Sequence, residues 1–186
     1  MKCLIIYGSR TRNTEKVAKR IKQTFNTHDW HCDIYNMEKS IDIENPPFDF
    51  EDYDFICAGS GVYWALPSEK VVMVMRLVSR RTSYSKIVPG PKRGMVFATY
   101  GGAHLGPKEA EAALKLLEIE IEHLAFKCVG AFACPGKYVN RATPEWYHGD
   151  IRNRPNEEDL GQAEALVNKL LKQNDAIVAT GLLQAS

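Results

Sequence analysis

No apolar stretch of this 186-residue chain approaches the roughly 20 residues that a bilayer-crossing helix needs, so no membrane span is expected. Neither sign of charge dominates. The 24 Lys and Arg face 23 Asp and Glu, a net charge of +1, which argues against a dedicated nucleic-acid or membrane binder. The five cysteines, Cys3, Cys32, Cys57, Cys128 and Cys134, are odd in number and no two are spaced Cys-x-x-Cys. That argues against a disulfide framework and a zinc site. Cys3, Cys57 and Cys128 stand in apolar, strand-like surroundings where a thiol behaves as a small buried hydrophobe, and a reducing cytoplasm is the expected location. The chain also lacks the Gly-x-Gly-x-x-Gly of dinucleotide folds and the Gly-Lys-Ser/Thr ending of nucleoside-triphosphate loops. No Ser-His-Asp set, paired carboxylate or metal-ligand cluster is discernible, and there are no repeats. Strand-like sequence starts within two residues of Met1, so no signal peptide is expected.

What is present is ordinary globular material, 45% hydrophobic and 25% charged, in an amount that fits one domain over residues 1–186. Apolar runs at 2–8, 30–36, 53–59, 94–100 and 126–133 read as strands. Between them, helical spacing predicts helices over 14–25 (Val17, Ala18, Ile21, Phe25), from Pro67 or Ser68 through Val78, and from Pro107 to about Leu124. Asn156 is placed to cap a last helix carrying Leu160, Ala163, Val167, Leu170 and Leu171. Five strands alternating with helices imply an α/β fold with a mostly parallel sheet covered on both faces. The block Val71–Val78 is more hydrophobic than a surface helix needs, which means deep burial or a homodimer contact.

In such sheets ligands bind at the carboxyl ends of the strands. The first exit, Ser9-Arg10-Thr11-Arg12-Asn13-Thr14, passes from an apolar strand through short donors into a helix. The unpaired N–H groups and dipole of that helix start favour a phosphate, and without a glycine-rich motif a phosphate monoester is the expected guest. The second exit, Gly59-Ser60-Gly61-Val62-Tyr63-Trp64, carries a Tyr-Trp pair that wants a flat apolar partner. At the third, Thr99-Tyr100-Gly101-Gly102-Ala103-His104, Tyr100 is a candidate for the opposite ring face, and the glycines let amides approach ring heteroatoms. Phosphate at one loop and aromatics at two others describe a flavin mononucleotide (FMN) site.

These segments resemble the flavodoxin family over roughly residues 3–172: Ser9–Thr14 its phosphate loop, the Gly-Ser-x-Val-Tyr-Trp and Thr-Tyr-Gly-Gly segments its two flavin loops, and Arg154–Leu160 the start of its last helix. The resemblance implies a five-stranded parallel sheet of order 2-1-3-4-5. It implies that Ser9, Thr11, Asn13 and Thr14 hold the phosphate of FMN, with Arg10 and Arg12 either clamping it or facing solvent. It also implies that Ser60, Gly61, Val62, Tyr63 and Trp64 lie against the isoalloxazine, completed by Thr99, Tyr100, Gly101 and Gly102. Taken singly, Thr14 is equally a helix cap, and Trp64 and Tyr100 are equally core or interface aromatics.

Arg12 stands where the family has glycine, so a left-handed backbone there would be strained. The balanced charge also departs from the acidic surface of low-potential electron shuttles. The expected function is a redox protein carrying electrons between donor and acceptor proteins. The alternatives are an FMN-dependent NAD(P)H:quinone or flavin reductase, with small quinone or nicotinamide substrates, and a binding module that has lost its flavin. His104 either donates to the flavin or is a solvated loop residue. Tyr138, Trp146 and Tyr147, in the patternless segment 135–155, are candidates to cover the flavin edge.

Overall fold

The computed structural model describes residues 1–39, 41–81, 92–102, 105–137 and 151–184. Ala103, His104 and the proposed cover residues Tyr138, Trp146 and Tyr147 lie outside the described residues. The elements run β1 (Lys2–Gly8), α1 (Asn13–Thr27), β2 (His31–Asn36), β3 (Phe55–Gly61), α2 (Glu69–Arg81), β4 (Arg93–Tyr100), α3 (Lys108–Glu122), β5 (Lys127–Pro135) and α4 (Glu157–Gln184). The strands form one sheet of order β2-β1-β3-β4-β5, every neighbouring pair parallel. No helix among the described residues is long and apolar enough to cross a membrane.

The period-2 alternation of a strand decides which helix each side chain meets. On β1, Cys3, Ile5 and Tyr7 join Val17, Ile21 and Phe25 of α1 and Leu160, Val167 and Leu170 of α4. Leu4 and Ile6 point the other way, onto Val71, Val74 and Met75 of α2 and Leu117 and Ile121 of α3. The central strands are buried on both faces, which is why they read as unbroken apolar runs. Burial accounts for the hydrophobicity of α2, since Val71, Val72, Val74 and Met75 are buried and Met73 is 38% exposed.

All five cysteines are free thiols, four of them buried. The Cys3 and Cys57 sulfurs lie 3.9 Å apart, and burial pushes both thiols up, so they stay protonated.

Several boundaries differ from the sequence expectation; β5, for one, runs to Pro135 rather than Ala133. Strand β3 continues through Ser60 and Gly61, because Gly8 of β1 and Ala98 and Thr99 of β4 extend the ladder on its flanks. Helix α1 begins at Asn13, with Arg12 at its N-cap, so Thr14 lies inside the helix rather than capping it. Helix α4 runs past Asn174 to Gln184. Its start is as expected and more elaborate: the Asp159 N–H donates to Asn156 Oδ1 at 3.1 Å, and the Asn156 N–H donates to Asp159 Oδ2 at 2.9 Å. That is a reciprocal capping box.

Candidate functional site

The β1 exit is held from two sides. A Cβ at Gly8 would collide with Ser68, which packs there from the start of α2. Asn36, the last residue of β2, accepts from the Ser9 N–H (3.3 Å) and donates from Nδ2 to the Ser9 carbonyl (3.2 Å). The Ser9 hydroxyl is buried and has no hydrogen-bond partner.

Arg12 takes φ 66° and ψ 6°, a left-handed conformation, and makes no side-chain capping bond. The first turn of α1 therefore keeps N–H groups that no side chain caps. A left-handed backbone costs a non-glycine residue roughly 1–2 kcal/mol, and the looser unfolded chain of glycine offsets about half. Arg12→Gly is therefore expected to raise stability by about 0.5–1 kcal/mol. The check is a higher urea midpoint at unchanged slope, and a lower midpoint would refute the strain assignment.

Loops one and three meet at Thr99. Its hydroxyl shares a 2.8 Å buried hydrogen bond with Thr14, and its carbonyl accepts from Val62 N–H at 2.9 Å. Asn13 Nδ2 donates to Thr11 Oγ1 (3.1 Å) and to the Lys137 carbonyl (2.8 Å), binding loop one to the end of β5. The exits of β1, β3, β4 and β5 are thus stitched into one edge.

In the second loop, Ser60 is buried in the ladder, donating to the Gly61 carbonyl and accepting from the Ser68 N–H, both at 2.6 Å. Tyr63 and Leu66 exchange both backbone hydrogen bonds (2.8 and 3.0 Å) around Trp64 (φ 54°) and Ala65 (φ 66°). This is a two-residue hairpin turn with both central residues left-handed. It lifts Trp64 almost wholly into solvent, 97% exposed. Tyr63 is half-buried beneath Arg10, whose guanidinium carbon is 4.7 Å from the ring centroid, and burial raises the Tyr63 phenol.

The third loop differs from a free stacking platform. Tyr100 is 4% exposed and clusters with Ala98 and Ala110, against Val62, Leu114 and Ala133; burial raises its phenol. Gly101 is half-buried. The Gly102 N–H donates to the Glu109 carboxylate, so that amide already has an acceptor. Nearby, Arg154 donates through Nε and Nη2 to the buried carboxylate of Asp159.

Asn36, Glu109 and Asp159 escaped the sequence reading. So did Glu38, whose carboxylate accepts from Ser68 Oγ at 2.7 Å and from Arg10 Nε at 3.4 Å. An Asn closing a strand beside the loop was a usable signal. Glu38 had none, because it meets Arg10 and Ser68 only across the fold, whereas Glu109 and Asp159 bond to residues seven and five positions back. Arg10 and Arg12 both line an open depression of about 400 Å³ between residues 9–15 and 36–39. No cluster of three or more His, Cys, Asp or Glu placed to hold a metal occurs among the described residues.

The fold matches oxidised flavodoxin 1 from Bacillus cereus at a TM-score of 0.66, covering 92% of this chain and 98% of that one at 15% identity. A flavodoxin from the domain Archaea matches at 0.62, covering 94% and 99% at 13% identity. In sequence, the chain is 30% identical over 174 residues to an uncharacterized protein of Methanocaldococcus jannaschii, covering 92% of this chain and 99% of the relative. The chain belongs to one family with that uncharacterized relative and has the flavodoxin-like fold. The flavodoxin-like fold also matches rubredoxin oxygen:oxidoreductase of Desulfovibrio gigas (TM-score 0.68, 14% identity), with 96% of this chain covering 37% of that one. No protein-family model matches this sequence.

Proposed function

We propose that the chain binds FMN and carries electrons between a donor and an acceptor protein. The observation that carries this is the convergence at Thr99, which brings the uncapped first turn of α1 and the Trp64 turn to one edge of the sheet. The donor set fits a phosphate monoester: the first-turn amides of α1, the unpartnered Ser9 hydroxyl and the Thr11 hydroxyl, with Asn13 and Thr14 holding the loop in place and the left-handed Arg12 preserving a glycine-type loop. An intact loop of this shape speaks against a module that has lost its flavin.

FMN, when bound, supplies one- and two-electron chemistry; the protein orients it and sets its surroundings. Trp64 offers an exposed indole for stacking. Tyr100 supports the β4 exit from within the core, and Gly102 N–H is available to a ring acceptor only in exchange for the Glu109 carboxylate. Free thiols at all five cysteines fit a reducing cytoplasm. The balanced net charge of +1 favours, as a second function, an NAD(P)H:quinone or flavin reductase on the same site.

The test is flavin binding followed by fluorescence quenching. FMN is expected to bind on the order of 100-fold more tightly than riboflavin, which lacks the charge-assisted phosphate bonds. Trp64→Ala is expected to weaken FMN about five-fold through lost stacking, with unfolding unchanged. Equal affinities for FMN and riboflavin, or no binding of either, would sink the proposal. NAD(P)H oxidation by the pure protein with quinone as acceptor selects the reductase over the shuttle.

A further inference from the structure

Helix α3 opens beside the third loop, and one of its carboxylates is turned back onto that loop. Glu109, in the first turn of α3, reaches seven residues back along the chain to accept the Gly102 N–H. Its carboxylate lies where a Cβ on residue 102 would stand, so only a glycine admits it this close. We infer that Glu109 is a tethered competitor of the flavin ring, holding the Gly102 amide in the flavin-free protein and swinging out when the ring seats. The inference rests on the FMN proposal for the identity of the incoming ring.

Three features make the contact an exchangeable one. The Gly102 N–H is the partner of this carboxylate, and no cation among the described residues pairs with it. A half-buried carboxylate held by one neutral amide regains hydration when it leaves. Once released, the side chain still belongs to the first turn of α3, where the helix dipole favours an anion. The charge also reaches into the site: burial raises the Tyr100 phenol most, and Glu109 adds to the rise.

An ionised oxygen is a stronger acceptor than a ring carbonyl, so breaking the contact lowers the net affinity for the ring. A simple brace between residues 102 and 109 would act in the opposite sense, because its loss would loosen the third loop and weaken flavin binding. The phosphate end lies at the start of α1 and takes no part in the exchange. Removal of the competitor therefore strengthens FMN and riboflavin alike.

The test measures FMN and riboflavin binding by fluorescence quenching in the parent protein, in Glu109→Ala and in Glu109→Gln. It also follows the Glu109 side-chain carboxyl carbon by NMR as FMN is added to the parent. Glu109→Ala is expected to tighten both flavins about five-fold and to leave the preference for FMN unchanged. Glu109→Gln should tighten them less, since its neutral oxygen still accepts, more weakly. In the parent, FMN should move the carboxyl carbon to the position of a solvated glutamate, and inorganic phosphate alone should leave it in place. Weaker or unchanged flavin binding by the variants overturns the inference, as does a carboxyl carbon that FMN does not move. Should Glu109→Ala fail to fold, Glu109→Gln and the parent's carboxyl carbon decide. Tight FMN binding by the parent with no gain in the variants sinks this inference alone; no flavin binding by any of the three proteins sinks the functional proposal with it.

Discussion

Gly59→Ala is expected to destabilise the protein by about 3 kcal/mol, and Phe97→Ala by about 4 kcal/mol. Gly59 sits at the centre of β3, directly paired with Tyr7 of β1 and Phe97 of β4. The Phe97 ring lies over it, so a Cβ there would enter the ring itself. The ring is fully buried in the layer between the sheet and α1 with α4. Its removal opens a cavity where the backbone, held by ladders on both sides, has little room to collapse.

The two residues share one volume, so their effects should not add. Gly59→Ala combined with Phe97→Leu is expected to cost clearly less than the sum of the single changes. Urea unfolding of the single and double variants reads this directly, and strict additivity would show that the ring does not occupy the space above Gly59.

The second large effect belongs to Arg154. Its replacement by Met leaves the Asp159 carboxylate buried with the Asn156 N–H as its remaining donor, and the expected loss is about 3–5 kcal/mol. Asp159→Asn should be milder, because it removes the buried charge along with the pair and keeps an oxygen for the cap. The damage should travel. The Arg154 carbonyl accepts from the Lys137 N–H at 2.8 Å, and the Lys137 carbonyl accepts from Asn13 at 2.8 Å. On the FMN proposal, Arg154→Met therefore also weakens flavin binding, although Arg154 stands at the start of α4 rather than in any of the three loops. An Arg154→Met protein as stable as the parent would remove the pair from the list of structural supports.

The side-chain parity of β4 shows where reading the chain as a string stops. Met95, Phe97 and Thr99 face α1 and α4, while Val96, Ala98 and Tyr100 face α2 and α3. The same alternation that makes Thr99 the meeting point of the loops turns Tyr100 into the core. Trp64 went the opposite way, because the hairpin turn at Tyr63–Leu66 swings it outward. The two aromatics were legible as loop-end residues, and their directions were set by strand register and turn geometry.

Similarly, Ser60 looked like a loop hydroxyl until neighbours on both sides lengthened the strand through it. At Arg12 the sequence showed only that a left-handed backbone would be strained; the structure shows that the backbone is left-handed, at φ 66°.

The sequence by itself determined the alternation of strands and helices, a mostly parallel sheet and the edge at which ligands are expected, because those follow from local periodicity and from burial on both faces of each strand. Only the tertiary structure decided which donors remain free. Thr14 finds Thr99 and Asn36 finds Ser9, leaving the Ser9 hydroxyl without a partner. Hydrogen-bond satisfaction is a property of neighbours in space, and neighbours far apart along the chain leave no periodic trace in it.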